Sequence, residues 1–220
     1  MDANRRSALF AGVLFVFATV SYISGNAIIE SVLSAPDYLQ DVYSKKNQIV
    51  LGVLLEFINS AAVVGIAIML YPVLKQHNEK IAIGYVGFRV IEAALLIVGT
   101  IGPLLLIGLS QKYIAAGAPD HSYFQTIGAL AAEGSLSAFQ LAMLALGLYS
   151  LFFCYLLYRS KLVPRFLSGL GLFGYVSLSA SAIMELMGYN GMYLYAPGAL
   201  FEIIFPLWLI VKGFNLSGRT

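Results

Sequence analysis

Long, almost uncharged apolar stretches constrain this chain more than any other feature. Six of them lie at roughly residues 7–29, 49–74, 81–109, 135–158, 166–187 and 196–211. Each reaches or approaches the ~20 residues that cross the hydrocarbon core of a bilayer as a helix. A helix is the form such a segment takes, because it bonds its own backbone groups where no water is available. Composition agrees: 60% of the residues are hydrophobic and 11% charged, where a soluble domain carries about a quarter charged. The expected fold is all-α, a polytopic transmembrane helical bundle of six spans forming a single domain over residues 1–220.

The few charges orient the bundle. Arg5, Arg6, Lys75, Lys80, Arg159, Lys161, Arg165, Lys212 and Arg219 fall on one side of the alternating spans, and only Lys45, Lys46 and Lys112 on the other. Basic residues stay inside, so both termini are expected in the cytoplasm. A net charge of +2 leaves no basic surplus for nucleic acid. Arg5-Arg6 before an apolar run also begins like a secretory signal. That run exceeds the ~7–15 apolar residues of a signal, and no small-residue cleavage pattern ends it, so a retained span is expected. Cys154 is the sole cysteine, which excludes an internal disulfide and a cysteine-based metal site.

Loop lengths add topology. The short segments 75–80 and 159–165 require antiparallel neighbours. Segments 30–48 and 110–134 are longer and carry Asp37, Tyr38, Asp120, His121 and Tyr123, and either could form a short helix over the outer mouth. The uncharged, tyrosine-rich segment 188–195 suits the headgroup belt. Pro103 and Pro206 predict a kink or early end in the third and sixth spans. The hairpins around Leu70-Tyr71-Pro72-Val73-Leu74-Lys75 and Tyr155-Leu156-Leu157-Tyr158-Arg159 echo one another at an offset of about 85 residues, through duplication or through shared membrane composition.

The sharpest functional signal is charge where none should be. Glu56, Arg89, Glu92, Glu185 and Glu202 lie within spans, where an ionised side chain costs at least ~2.5–3.5 kcal/mol. They must face the interior, pair, or lose their charge. Arg89 and Glu92 are three residues apart and share a helix face. Four acids against one base leave a carboxyl needing a proton or a cation. Polar and small residues recur on the same period: Thr19, Tyr22 and Asn26; Gly52, Asn59 and Ser60; Glu133, Ser137 and Gln140; Gly174, Ser177 and Ser181. The expected geometry is a polar interior opening outward above an apolar floor. The candidate ligand-binding or proton-coupling residues are Glu56, Arg89, Glu92, Glu202, Glu185, Asn26, Asn59 and Gln140.

Other chemistry lacks its motifs. His77 and His121 have no second histidine at zinc spacing, and no nucleophile elbow or phosphate loop occurs. Asp120, His121 and Glu133 read as a solvated loop rather than a metal site. No cofactor and no metal is expected. Glycines such as Gly169, Gly171 and Gly174 read as helix-packing faces.

Several runs carry a resemblance: residues 5–15; Val50-Leu51-Gly52-Val53-Leu54-Leu55-Glu56; Gly84-Tyr85-Val86-Gly87-Phe88-Arg89-Val90-Ile91-Glu92; Leu162-Val163-Pro164-Arg165; and Trp208-Leu209-Ile210-Val211-Lys212-Gly213-Phe214-Asn215. In combination the chain resembles a bacterial membrane family known as domain of unknown function 4386. The resemblance implies a six-span protein of the bacterial inner membrane and brings no activity with it. Three readings stay open. One is a binding or transport protein for a small polar or anionic solute. Another is a structural or regulatory subunit whose charges only fix packing. The weakest is an intramembrane enzyme using Glu56 or Glu92 as acid–base on a lipid-derived substrate, because nothing supplies a nucleophile or metal. The lipid bilayer is the one partner implied; the oligomeric state is not fixed by sequence.

Overall fold

A computed structural model describes residues 3–118 and 123–215. Its elements are α1 (Ala3–Leu33), α2 (Tyr38–Asp41), α3 (Lys46–Leu74), α4 (Glu79–Gly99), α5 (Ile101–Ala115), α6 (Tyr123–Ser160), α7 (Arg165–Leu186), a 3-10 turn (Met192–Tyr195) and α8 (Ala196–Val211). Six segments are long and apolar enough to cross a membrane: Asn4–Leu33, Lys46–Leu74, Glu79–Ala115, Tyr123–Ser160, Arg165–Leu186 and Met192–Val211. The outward surface fits that solvent. On α1 alone Phe10, Val13, Phe17, Val20 and Ile23 are 48–61% exposed, a continuous apolar face that water would not tolerate. The chain is an all-helical, multi-pass membrane protein.

The third span breaks where its sequence says it should. Pro103 cannot donate a backbone hydrogen bond and crowds the preceding turn. Helix α4 ends at Gly99, and the Thr100 hydroxyl donates to the Ile97 carbonyl at 2.7 Å before α5 begins. Pro206 behaves otherwise: α8 runs through it to Val211. Helix α1 packs closely there, with an ideal Cβ on Gly12 lying 2.8 Å from the Pro206 carbonyl oxygen. Neighbouring helices commonly stabilise proline-containing turns within a membrane.

The segment 110–134 forms no separate mouth helix. It extends α5 to Ala115 and starts α6 at Tyr123, where Ala129, Ala131 and Ala132 favour helix beyond the apolar run. The segment 30–48 does supply the short α2. The Ser110 hydroxyl of α5 donates to the Leu39 carbonyl and accepts from the Tyr43 N–H at 3.0 Å, pinning α2 in place. The Tyr38 hydroxyl rests on Gly128 of α6, and burial raises its phenol above the ordinary pKa. Asp120, His121 and Arg219 lie outside the described residues.

The spans form a closed ring. Helix α1 packs on α3, α3 on α4, α4 on α6, α6 on α7, α7 on α8, and α8 back on α1. Glycines set two of the closest approaches. An ideal Cβ on Gly25 would lie 2.7 Å from the Gly52 carbonyl oxygen, and one on Gly174 would lie 2.9 Å from the Gly198 Cα. Small residues at such crossings bring helices together where lipid supplies no hydrophobic drive. The two echoing hairpins, α3–α4 and α6–α7, are separate arcs of this ring. Each turn seats a cation over a tyrosine at 5.3 Å, Lys75 over Tyr71 and Arg165 over Tyr158.

The start of α1 and the end of α8 meet on one face, here the terminal face. The Arg5 guanidinium donates to the carbonyls of Leu209, Ile210 and Val211 at 2.8, 2.7 and 3.2 Å. Beyond α8, Gly213 adopts φ 75°, and the Asn215 N–H donates to the Leu162 carbonyl at 2.8 Å. The half of the ring nearest this face is filled. Phe201 and Phe205 stack at 5.0 Å, and Phe15 and Phe153 meet Phe205 edge-on at 5.7 and 5.6 Å. Ile66, Leu70 and Leu157 complete a buried apolar floor.

Candidate functional site

Above that floor the ring encloses empty space in two chambers. The distal one, toward the face opposite the termini, has a volume of about 620 Å³. The deep one, resting on the floor, has about 270 Å³. All six ring helices contribute to their walls. A ring with no helix at its centre leaves such a lumen unless side chains fill it, and large ones fill only the terminal half.

Tyr22, Asn59, Leu96, Phe139 and Tyr195 line both chambers and so lie between them. Across this septum the rings of Tyr22 on α1 and Phe139 on α6 stack at 5.7 Å and 9°. The Tyr195 hydroxyl donates to the Gln140 side-chain oxygen. Those two contacts join helices that are not neighbours in the ring.

The distal chamber is acidic. Glu30, Glu56 and Glu185 line it together with Asn26 and Gln140, and among the described residues no lysine, arginine or histidine does. Glu185 is partly committed elsewhere, since its carboxylate accepts the Gly191 N–H at 2.6 Å and so holds the turn before α8. Glu30 and Met192 stand at the rim, Met192 being 72% exposed.

The deep chamber holds the only base that lines the lumen among the described residues. The Arg89 Nη1 donates to both Glu92 oxygens, at 3.2 and 2.9 Å. Both side chains are nearly sealed, at 4% and 3% exposure. The guanidinium sits 5.7 Å from the ring centres of Phe15 and Tyr85, so two aromatic faces add to its stabilisation. The Arg89 Nε is buried without a partner. Across the chamber the Tyr175 hydroxyl of α7 donates to Glu202 of α8 at 3.1 Å.

Of the residues expected from sequence, the fold thus brings Arg89, Glu92 and Glu202 together in the deep chamber. It sets Asn26, Glu56, Gln140 and Glu185 around the distal one and Asn59 on both walls. Glu56 and Arg89 line different chambers. Glu133 and Ser137 are exposed and not part of the lumen; α6 packs there against α5, which turns Ser135 inward beside Gly102. Ser181 serves packing, donating to the Gly191 carbonyl at 2.7 Å. Gly169 faces open space, unlike Gly171 and Gly174. Tyr195, assigned to the headgroup belt, sits in the septum instead. Phe139 and Tyr175 went unselected, because an aromatic in an apolar span carries no mark of its own. The one available signal was the small-residue face of Gly171 and Gly174 beside Tyr175.

No curated protein and no solved structure matches the chain. A family model does, over residues 10–213, which includes every residue of both chambers. On that match the chain belongs to the family described as domain of unknown function DUF4386.

Proposed function

We propose that the protein receives a small polar solute from outside the cell into the deep chamber, for binding or transport. The observation that carries the proposal is the pair of chambers in series, distal rim to sealed floor, walled by all six spans. The basic residues of the terminal face support a reading in which that face lies on the cytoplasmic side of a bacterial inner membrane and the distal rim opens outward. Buried ionisable groups within a membrane usually mark solute or proton paths.

A purely structural reading of the charges fits less well. Arg89 and Glu92 lie on the same helix, three residues apart, so their ion pair ties no two helices together. Tyr175 with Glu202 does join α7 to α8, but Gly174 and Gly198 already bring those helices into backbone contact.

Cysteine accessibility tests the path. In a Cys154→Ala background, Asn26→Cys reports on the distal chamber and Thr19→Cys on the deep one. A membrane-impermeant cationic thiosulfonate added to intact, outer-membrane-permeabilised cells should modify Asn26→Cys quickly and Thr19→Cys more slowly. Modification only after the inner membrane is opened would overturn the orientation, and no modification of Thr19→Cys from either side would overturn the path.

A further inference from the structure

The charges and rings of the deep chamber go further and specify what kind of solute fits. This step rests on the solute reading above and adds the ligand's chemical class. Arg89 is not a free cation waiting for an anion, because its Nη1 is held by both oxygens of Glu92. With that pair neutral, the remaining ionisable carboxyl of the chamber wall is Glu202, bonded only to the Tyr175 hydroxyl among the described residues. An ionised Glu202 is therefore balanced by one positive charge, not by a negative one. The approach agrees: an entering molecule passes Glu30 and Glu56 and, among the described residues, meets no basic wall. Like-signed walls in a low-dielectric cleft concentrate the opposite ion.

The walls fit an organic cation rather than a bare metal ion. Tyr22, Phe139, Tyr175 and Tyr195 surround the space, and aromatic faces attract ammonium groups through their quadrupoles. Val63, Leu178 and Met143 offer apolar contact to a short carbon skeleton. A volume of about 270 Å³ is below the ~300–1,000 Å³ of sites for drug-sized ligands. Arg89 adds one more requirement. Its Nε is buried without a partner among the described residues, while the side chain lines the chamber. Unmet donors of a buried guanidinium favour a ligand oxygen close by.

We infer that the deep chamber binds a small organic ammonium ion carrying a neutral oxygen acceptor. The ammonium pairs with Glu202 between aromatic faces, and the oxygen accepts from Arg89.

Three probes on one branched skeleton test this by calorimetry on the full chain in lipid nanodiscs: valinamide, isobutylamine and 3-methylbutanoate. The ammonium ions should bind, valinamide several-fold more tightly, and the carboxylate should not. Glu202→Gln should weaken both ammonium ions by roughly tenfold, and Phe139→Leu by a smaller factor, with melting temperatures confirming that each variant folds. If Glu202→Gln fails to fold, Phe139→Leu alone carries the test. Binding of 3-methylbutanoate as tight as that of the amines, unchanged amine binding in the folded variants, or no ammonium binding at all would each overturn the inference. No ammonium binding with Thr19→Cys still labelled from outside would remove the ligand class and leave the path. Loss of both would remove both.

Discussion

At the scale of single residues, Arg89 and Glu92 are unequal partners. Each is almost wholly buried, and each is the other's nearest opposite charge. A carboxyl left alone can take up a proton and become neutral, whereas a guanidinium stays charged. Removing one member of a buried pair costs about 3–5 kcal/mol when the other stays charged. Glu92→Gln should therefore lose about that much, and Arg89→Gln clearly less, in unfolding midpoints measured in mixed micelles. The reverse order would show that Glu202 and the rings of Phe15 and Tyr85 suffice to hold the arginine. The pair itself was legible in the sequence, because three-residue spacing on a helix puts both on one face. The separation of Glu56 from it was not, because depth along a span fixes height but not which wall a side chain faces.

At the scale of elements, glycines that look alike in sequence do different work. Gly174 lies against the backbone of Gly198 and Pro197 of α8, whereas a Cβ on Gly169 would meet nothing. Gly174→Val should separate α7 from α8 and lose about 1–3 kcal/mol. Gly169→Ala should be neutral or gain up to ~1 kcal/mol through helix propensity. Equal effects in thermal melts would refute the assignment of the α7–α8 contact. Arg5 was read from sequence only as a topogenic charge, because a hydrogen bond to the far end of the chain leaves no local pattern. It satisfies the last carbonyls of α8, which have no partner within their own helix. Arg5→Ala should cost about 1–2 kcal/mol, read as earlier hydrogen exchange of residues 206–211. Lysine should not restore it, since one ammonium cannot span three carbonyls as a fork does. The extended start of α6 escaped for a related reason: hydropathy marks what lies in lipid, while helix propensity decides where the helix stops.

At the scale of the whole molecule, the ring explains why the spans and their polar stripes could be read from sequence while the site could not. Most of the stripes mark the inward side of a helix, although Glu133 and Ser137 are exposed; only closure of six helices makes a lumen, and closure depends on which helices are neighbours. Asn26, Asn59 and Gln140 were visible as polar residues at helical spacing. The aromatic septum was invisible, because Tyr22, Phe139 and Tyr195 become one feature only when α1, α6 and the turn before α8 converge. That septum lies between the two chambers. A stacked aromatic pair contributes roughly 0.5–1.5 kcal/mol, and the proposed path between the chambers runs past the stacked Tyr22–Phe139 pair. If its loss lowers the barrier by that amount, Phe139→Ala should speed modification of Thr19→Cys by roughly 2- to 10-fold. Modification of Asn26→Cys, on the distal side of the septum, should keep its rate. Acceleration at both sites would indicate general loosening of the ring, and acceleration at neither would mean that solutes reach the deep chamber by another route, between helices from the lipid. Selective acceleration at Thr19→Cys would establish the stacked pair as the gate on the path to Arg89 and Glu202.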